Sequence, residues 1–282
     1  MPFSRVYLEI TNCCNLACSF CPGTTRRAAF LTVAQFTHLA GALRGQTRFL
    51  YFHVMGEPLL HPDLPELLDV AGRMSFRVVL TTNGTLLPKR QRELLAAQAL
   101  HKVSVSLHSF EANSGVDMEH YLAGCTDFGL AASEAGILID YRLWNLDGAE
   151  TRGQNEQNDA ILNHLHAAYP GNWTQNTWGW RLCDRTFIHY GEKFDWPSPD
   201  APDHGEAGTC RALRDQLAVL CDGTVVPCCL DGEGRIPLGN LLAQPLDEIL
   251  AAEPARSIAA GFALQKRLHP LCRRCGYAQR FR

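Results

Sequence analysis

The chain lacks any apolar run of about 18 residues, the length a membrane-spanning helix needs. It also lacks an excess of charge of either sign. Its 26 Lys and Arg face 29 Asp and Glu, for a net charge of −3. That balance gives no bulk field for nucleic acid or an anionic membrane, so neither is expected as a partner. The opening Met1-Pro2-Phe3-Ser4-Arg5 has no signal-peptide pattern, and no low-complexity segment follows. These absences leave a soluble, cytoplasmic globular protein as the expectation. A hydrophobic fraction of 46% and a charged fraction of 20% agree with it, and 282 residues suffice for one large domain or a large domain with a small appendage. What the chain has in unusual amount is cysteine, 12 residues, in a composition that otherwise looks intracellular. A reducing compartment disfavours structural disulfides, so metal or cluster ligation is the first reading.

Strand-like and helix-like stretches alternate through the first 170 residues. Strands are expected at 5–10, 49–52, 76–80, 103–107 and 137–143, and helices at 33–44, 62–74, 88–97, 120–134 and 155–168. Such alternation predicts parallel β/α units, with functional groups on the loops that follow the strands. From 183 to 209 Pro197, Pro199 and Pro202 stand among acidic residues and Gly205 and Gly208, which reads as an irregular connector. Beyond it, 216–221 and 224–228 flank Asp222-Gly223 as a hairpin, and a helix is expected over 246–262. The predicted organisation is therefore 1–182, a connector at 183–209, and 210–282.

Directly after the first strand, Cys14, Cys18 and Cys21 form a C-x3-C-x2-C loop. Short spacings let one loop wrap an iron–sulfur cluster, and three thiolates on a four-iron cube leave one iron open to a reacting ligand. The alternative is zinc, which in a structural site wants a fourth ligand, such as Cys13 or a distant His. The stretch Glu9 to Cys21 resembles the signature loop of the radical S-adenosylmethionine (radical SAM) superfamily. The resemblance implies a 4Fe–4S cluster on Cys14, Cys18 and Cys21, with SAM chelating the fourth iron, and Phe20 against the adenine. Gly56-Glu57-Pro58 after the second strand matches the motif that receives the SAM amino group. Asn83 after the third strand, Ser106 on the fourth, and Arg142 and Asn145 at the end of the fifth match positions that line the SAM site. Singly, each of these is also a common turn, core or ion-pair residue; their order along successive strands carries the likeness. It covers about residues 5–182 and implies an α/β fold, a partial (β/α)6 TIM-like barrel.

The second set is Cys210, Cys228, Cys272 and Cys275. By spacing it is a closed four-thiolate site, equally suited to a cluster or to zinc. Cys-x12-Gly-x4-Cys followed by C-x2-C resembles the SPASM/twitch extensions of radical SAM enzymes. With no cysteine after Cys275, the likeness points to the twitch type, a small hairpin-plus-helix extension with one auxiliary 4Fe–4S cluster. Cys13, Cys125, Cys183 and Cys221 are expected to be small buried or loop residues.

The resemblance implies that SAM is split and that a 5′-deoxyadenosyl radical takes a hydrogen atom from the substrate. It also implies a flavodoxin- or ferredoxin-type electron donor. Oxidation of a small polar molecule, with the auxiliary cluster accepting an electron, is the preferred outcome. Four other readings stay open: a lyase acting on a modified deazapurine base, a sugar epimerase with Cys229 as hydrogen donor, a peptide-modifying enzyme, and a non-enzymatic zinc-binding module. Cys14 lies near the start of the chain, which favours a small molecule over a peptide. No base is identifiable; Cys229, His108, Glu9 and Asp231 are the candidate catalytic residues. His53, His108, Asn145 and the tryptophans within 172–181 are candidate substrate-lining residues.

Overall fold

Alternation along the strands splits one sheet into two faces. The computed structural model describes residues 3–146 and 156–281. In order come β1 (Arg5–Leu8), α1 (Val33–Leu43), β2 (Phe49–Phe52), α2 (Leu64–Arg73), β3 (Arg77–Thr82) and α3 (Leu87–Ala96). They continue with β4 (Leu100–Ser106), α4 (Met118–Glu134), β5 (Leu138–Leu146) and α5 (Glu156–Ala168). Strands β1 to β5 are parallel neighbours, which requires a crossover between each pair. The helices supply it. Helix α1 is started by a capping box between Thr32 and Gln35 and buries Phe36, Leu39, Ala40 and Leu43 at helical spacing. Helix α2 buries Leu64, Leu67, Leu68 and Ala71 in the same way. Val6, Leu8, Leu50, Val103, Val105, Ile139, Tyr141 and Leu143 meet these helices in one continuous core. The intervening residues, among them Tyr7, Tyr51, Ser104, Asp140 and Arg142, are thereby turned to the opposite, inner face.

After α5 come β6 (Thr174–Asn176), β7 (Gly179–Cys183) and β8 (Thr186–Glu192). Strand β8 runs parallel to β5 as a sixth parallel strand, so the expected connector at 183–209 begins with regular structure. Its residues Thr186-Phe187-Ile188-His189-Tyr190 alternate, but the adjacent Cys183-Asp184-Arg185 and Gly191 disguise the strand as loop. Strands β9 (Gln216–Val219), β10 (Thr224–Val226) and β11 (Gly239–Asn240) follow. Strand β9 pairs in parallel with β1, and the expected hairpin β9–β10 is antiparallel. The sheet is thus open and eleven-stranded, in the order β11-β10-β9-β1-β2-β3-β4-β5-β8-β7-β6.

The helix expected over 246–262 is two helices, α6 (Leu246–Ala251) and α7 (Ala255–Ala263). Pro254, which lacks an N–H and disfavours helical backbone before it, separates them. A short α8 (Pro270–Arg273) carries Cys272. Residue 155, expected to open α5, lies outside the described residues. Among the described residues no helix is long and apolar enough to cross a membrane.

Candidate active site

The loop between β1 and α1 carries Cys14, Cys18 and Cys21 at the ends of the parallel strands. All three cysteines are free, and Cys14 and Cys21 are exposed. Their sulfurs interact electrostatically, and burial pushes the Cys18 thiol up to about 12. Asn83, after β3, holds the loop from below. Its Nδ2 donates to Asn15 Oδ1 at 2.9 Å and reaches Cys14 Sγ at 4.0 Å. On the other side Ser109 O lies 3.9 Å from Cys18 Sγ. Ser106, whose carbonyl accepts from Ser109 Oγ at 2.6 Å, ends β4 in the same region. The half-buried Phe20 ring lies 4.7 Å from the His108 ring.

Gly56 shows why the loop after β2 needs glycine at this position. Its φ is +78°, and a Cβ there would stand 2.6 Å from Thr11 O and 2.8 Å from Cys13 O. Glu57 is 2% exposed. Its two oxygens accept from Leu59 N (3.0 Å) and Asn83 N (2.7 Å), while its own N–H donates to Cys13 O at 2.7 Å. Burial, outweighing these hydrogen bonds, raises its carboxyl to about 7. Pro58 is buried at the first position of the turn that Glu57 caps. The Gly56-Glu57-Pro58 element therefore ties the β2 and β3 loops to the cysteine loop.

The inner face of the sheet forms a wall that reaches Cys229, the neighbour of Cys228. Tyr7, Ala218, Leu220 and Val226 cluster there with Tyr51, Val54 and Cys229. The Tyr7 hydroxyl sits beside the Cys229 thiol, which burial raises to about 11. The His53 ring meets Tyr7 edge-on at 5.0 Å, and burial, then Arg142 and Arg5, lowers its pKa to about 3. The Arg142 guanidinium lies 3.6 Å from the centre of the Trp144 ring and within electrostatic reach of Asp140, Tyr7, Cys229 and Tyr277. Buried His53 Nδ1, Arg142 Nε and Trp144 Nε1 have no hydrogen-bond partner among the described residues. Three unpaired polar nitrogens on one wall suit a polar ligand, because each is costly to leave empty-handed. Arg142 thus lies within electrostatic reach of the C-terminal residues Cys229 and Tyr277.

Several candidates are committed elsewhere. Glu9 is fully buried, ion-paired with Arg26 at 2.6 Å and bonded to Met55 N (3.2 Å) and Cys221 N (3.0 Å). It is a structural hub, with both oxygens engaged by partners from three segments. Asn145 exchanges two hydrogen bonds with Asn158 of α5, at 2.9 and 3.0 Å, so its amide faces a helix. Both Asp231 oxygens accept backbone N–H groups, from Arg235 and Ile236. Buried His108 bonds Arg142 O through Nδ1 at 2.9 Å, and burial lowers its pKa to about 3, so it is neutral near pH 7. Trp173 Nε1 donates to Tyr169 O, Trp180 packs against the core, and Trp178 is exposed. Three residues that no motif points to bear on these regions: Tyr7 beside Cys229, Arg26 as the partner of Glu9, and Arg267 near the second cysteine set. Strand alternation from Glu9 could have flagged Tyr7; nothing local marks the two arginines.

The second set also comes together. Cys210, Cys228, Cys272 and Cys275 line one cavity with Pro227, Ile236 and Phe262 among its apolar walls. Burial pushes the Cys272 thiol up to about 12 and the Cys275 thiol to about 11.

Two family models match the chain: the radical SAM superfamily over residues 8–124, and the SPASM iron–sulfur cluster-binding domain over 210–276. A GTP 3′,8-cyclase of Chlorobaculum tepidum is 34% identical over 113 residues, 38% of this chain and 33% of that protein. The chain thus spans about a third of that curated relative's length. Among solved structures, BtrN in complex with AdoMet and 2-DOIA has a TM-score of 0.62 at 18% identity, covering 97% of this chain and 92% of that one. Streptococcus suis SuiB bound to precursor peptide SuiA has a TM-score of 0.62 at 13% identity, covering 98% and 72%. At these identities the likeness is one of fold.

The donor sets fit the cofactors this implies, SAM and 4Fe–4S clusters. Three exposed or half-buried thiols on one loop leave a side open for SAM, and four thiols around an apolar cavity make a closed site. Among the described residues no group of three or more His, Cys, Asp or Glu is arranged to hold a single metal ion; a cluster instead spreads its thiolates over the corners of a cube.

Proposed function

Because the chain belongs to the radical SAM superfamily and carries a SPASM cluster-binding domain, we propose that it oxidises a small polar substrate held between two 4Fe–4S clusters. Cys14, Cys18 and Cys21 would hold the SAM-binding cluster, and Cys210, Cys228, Cys272 and Cys275 the auxiliary one. Bound SAM supplies hydrogen-atom abstraction, and the auxiliary cluster a place for one electron. The observation that carries this reading is the inner wall with unpaired His53 Nδ1, Arg142 Nε and Trp144 Nε1 beside Cys229, the neighbour of a second-set cysteine.

The residues divide the work. Phe20, Gly56, Glu57, Pro58, Asn83 and Ser106 form the SAM side. Asn83 and Glu57 hold that side's loops against one another. Arg142, His53 and Trp144 orient the substrate, and Tyr7 and Tyr51 close the wall against water. Asp140, which holds Lys102 at 2.7 Å and His189 at 2.6 Å, also favours the charged form of Arg142 on the same face. The electron donor is of flavodoxin or ferredoxin type.

Iron and product analysis tests this. The reconstituted protein is expected to hold about eight irons per chain and, with dithionite and SAM, to form 5′-deoxyadenosine. Replacing Cys14, Cys18 and Cys21 with Ala should remove about half the iron and all SAM cleavage. Replacing Cys272 and Cys275 with Ala should remove a similar share and leave uncoupled cleavage. Zinc in place of iron, or cleavage surviving the first change, would overturn the reading.

A further inference from the structure

Arg267 is 2% exposed, yet among the described residues no carboxylate pairs with it. One bond is made by its guanidinium, Nη2 to Ala278 O at 3.1 Å, and Nε and Nη1 have no partner. A guanidinium cannot shed its proton to escape this, and a buried cation without a counter-anion is strongly disfavoured. Its surroundings give the reason. The guanidinium packs on Gly208, two residues before Cys210, where a Cβ would collide with it. Ala278, its acceptor, lies three residues after Cys275. Arg267 is within electrostatic reach of Cys210, Cys272 and Cys275. Asp231, the carboxylate of the same cavity, is occupied by two backbone N–H groups.

We propose that Arg267 is the buried charge partner of the auxiliary cluster, directing its free N–H groups toward the cysteine thiolates and making that cluster easier to reduce. This rests on the reading that Cys210, Cys228, Cys272 and Cys275 hold a 4Fe–4S cluster. With four thiolates such a cluster is an anion that gains one more negative charge on reduction. A fixed cation and hydrogen bonds to its sulfurs therefore favour the reduced form. A cluster that must accept an electron from a substrate is helped by that bias. Arg267 is a positioning and tuning residue in this account and touches no substrate.

The test uses the full chain with Cys14, Cys18 and Cys21 changed to Ala, so that the auxiliary cluster is alone, and follows its reduction by EPR-monitored titration. Arg267→Met should shift the reduction equilibrium at least tenfold toward the oxidised form, about 59 mV for one electron. Arg267→Lys, which keeps the charge and loses the planar fork, should shift it less. Thermal unfolding of the metal-free protein gives an independent readout. There Arg267→Met should unfold at or above the parent temperature, because an unpaired buried charge has gone. Unchanged potentials in both variants, or a metal-free Arg267→Met protein that unfolds well below its parent, would overturn the proposal. If Arg267→Met fails to retain iron, the Lys potential and the metal-free melt still decide. Zinc, or no iron, in the parent itself would overturn the cluster reading and the proposal with it.

Discussion

At the scale of single residues, Glu57 shows how a candidate residue can be picked from sequence while its environment is seen only in the fold. Its carboxyl, ordinarily near 4.5, is raised by burial to about 7. The folded protein therefore binds more protons than the unfolded chain between those values, and this group's contribution to stability falls as pH rises through that window. Buried His53 and His108, lowered to about 3, act in the opposite sense: their contribution falls as pH drops below 6.5. The difference between wild type and Glu57→Gln isolates the carboxyl. In metal-free protein the stability gap between the two should change by about 3 kcal/mol from pH 4.5 to 7, in the variant's favour at the higher pH. Denaturant titrations at several pH values check this, and a pH-independent gap would show that Glu57 titrates normally. The motif alone singled out Gly56, Glu57 and Phe20 as candidates. Nothing in it distinguished Glu9, which looks as suited to chemistry as Glu57. The difference is three-dimensional: Arg26, Met55 N and Cys221 N come from three separate segments to occupy Glu9.

At the scale of elements, the loops after β1, β2 and β3 act as one body, and the tightest joint is Gly56 against Thr11 and Cys13. Alanine there would need a left-handed backbone and would meet two carbonyl oxygens, a strain of order 1–3 kcal/mol. We expect Gly56→Ala to weaken SAM binding at least tenfold by equilibrium dialysis while the iron of the second cysteine set stays. Gly41→Ala, in helix α1 with open space around it, is the control and should be neutral or slightly stabilising. Equal SAM affinity in both would mean that the β2 loop does not shape the SAM side. The strands and helices up to α5 were legible because each carries its own periodicity. Strand β8 and the break before Pro254 were less so. In β8, His189 pairs with Asp140 and the buried Thr186 alternates with it in place of an aliphatic residue, so the alternation loses its usual hydrophobic contrast.

At the scale of the whole molecule, the C-terminal segment is part of the sheet rather than an appendage beside it. Strand β9 pairs with β1 over four residues, Arg5 to Leu8. Three further ties cross the same boundary. Glu9 accepts from Cys221 N (3.0 Å), Glu233 accepts from Thr25 N and Oγ1 (3.1 and 2.6 Å), and Gly232 packs so closely on Met55 that a Cβ would stand 2.7 Å from it. The preceding segment adds Trp196 Nε1 to Phe20 O at 2.9 Å. Sequence spacing predicted a division at 183–209, and a chain ending at 209 would keep every helix of the first half. It would also leave β1 as an edge strand, with Val6 and Leu8 on one side and a row of unpaired backbone groups. Full-length protein should therefore unfold in one cooperative step, with near- and far-ultraviolet dichroism coinciding. Residues 1–209 alone should aggregate, or show helix content without a cooperative melt, and should not bind SAM. A soluble, SAM-binding 1–209 fragment with a sharp transition would show instead that the β1–β9 pairing is dispensable, and that the two cysteine sets belong to units that fold separately.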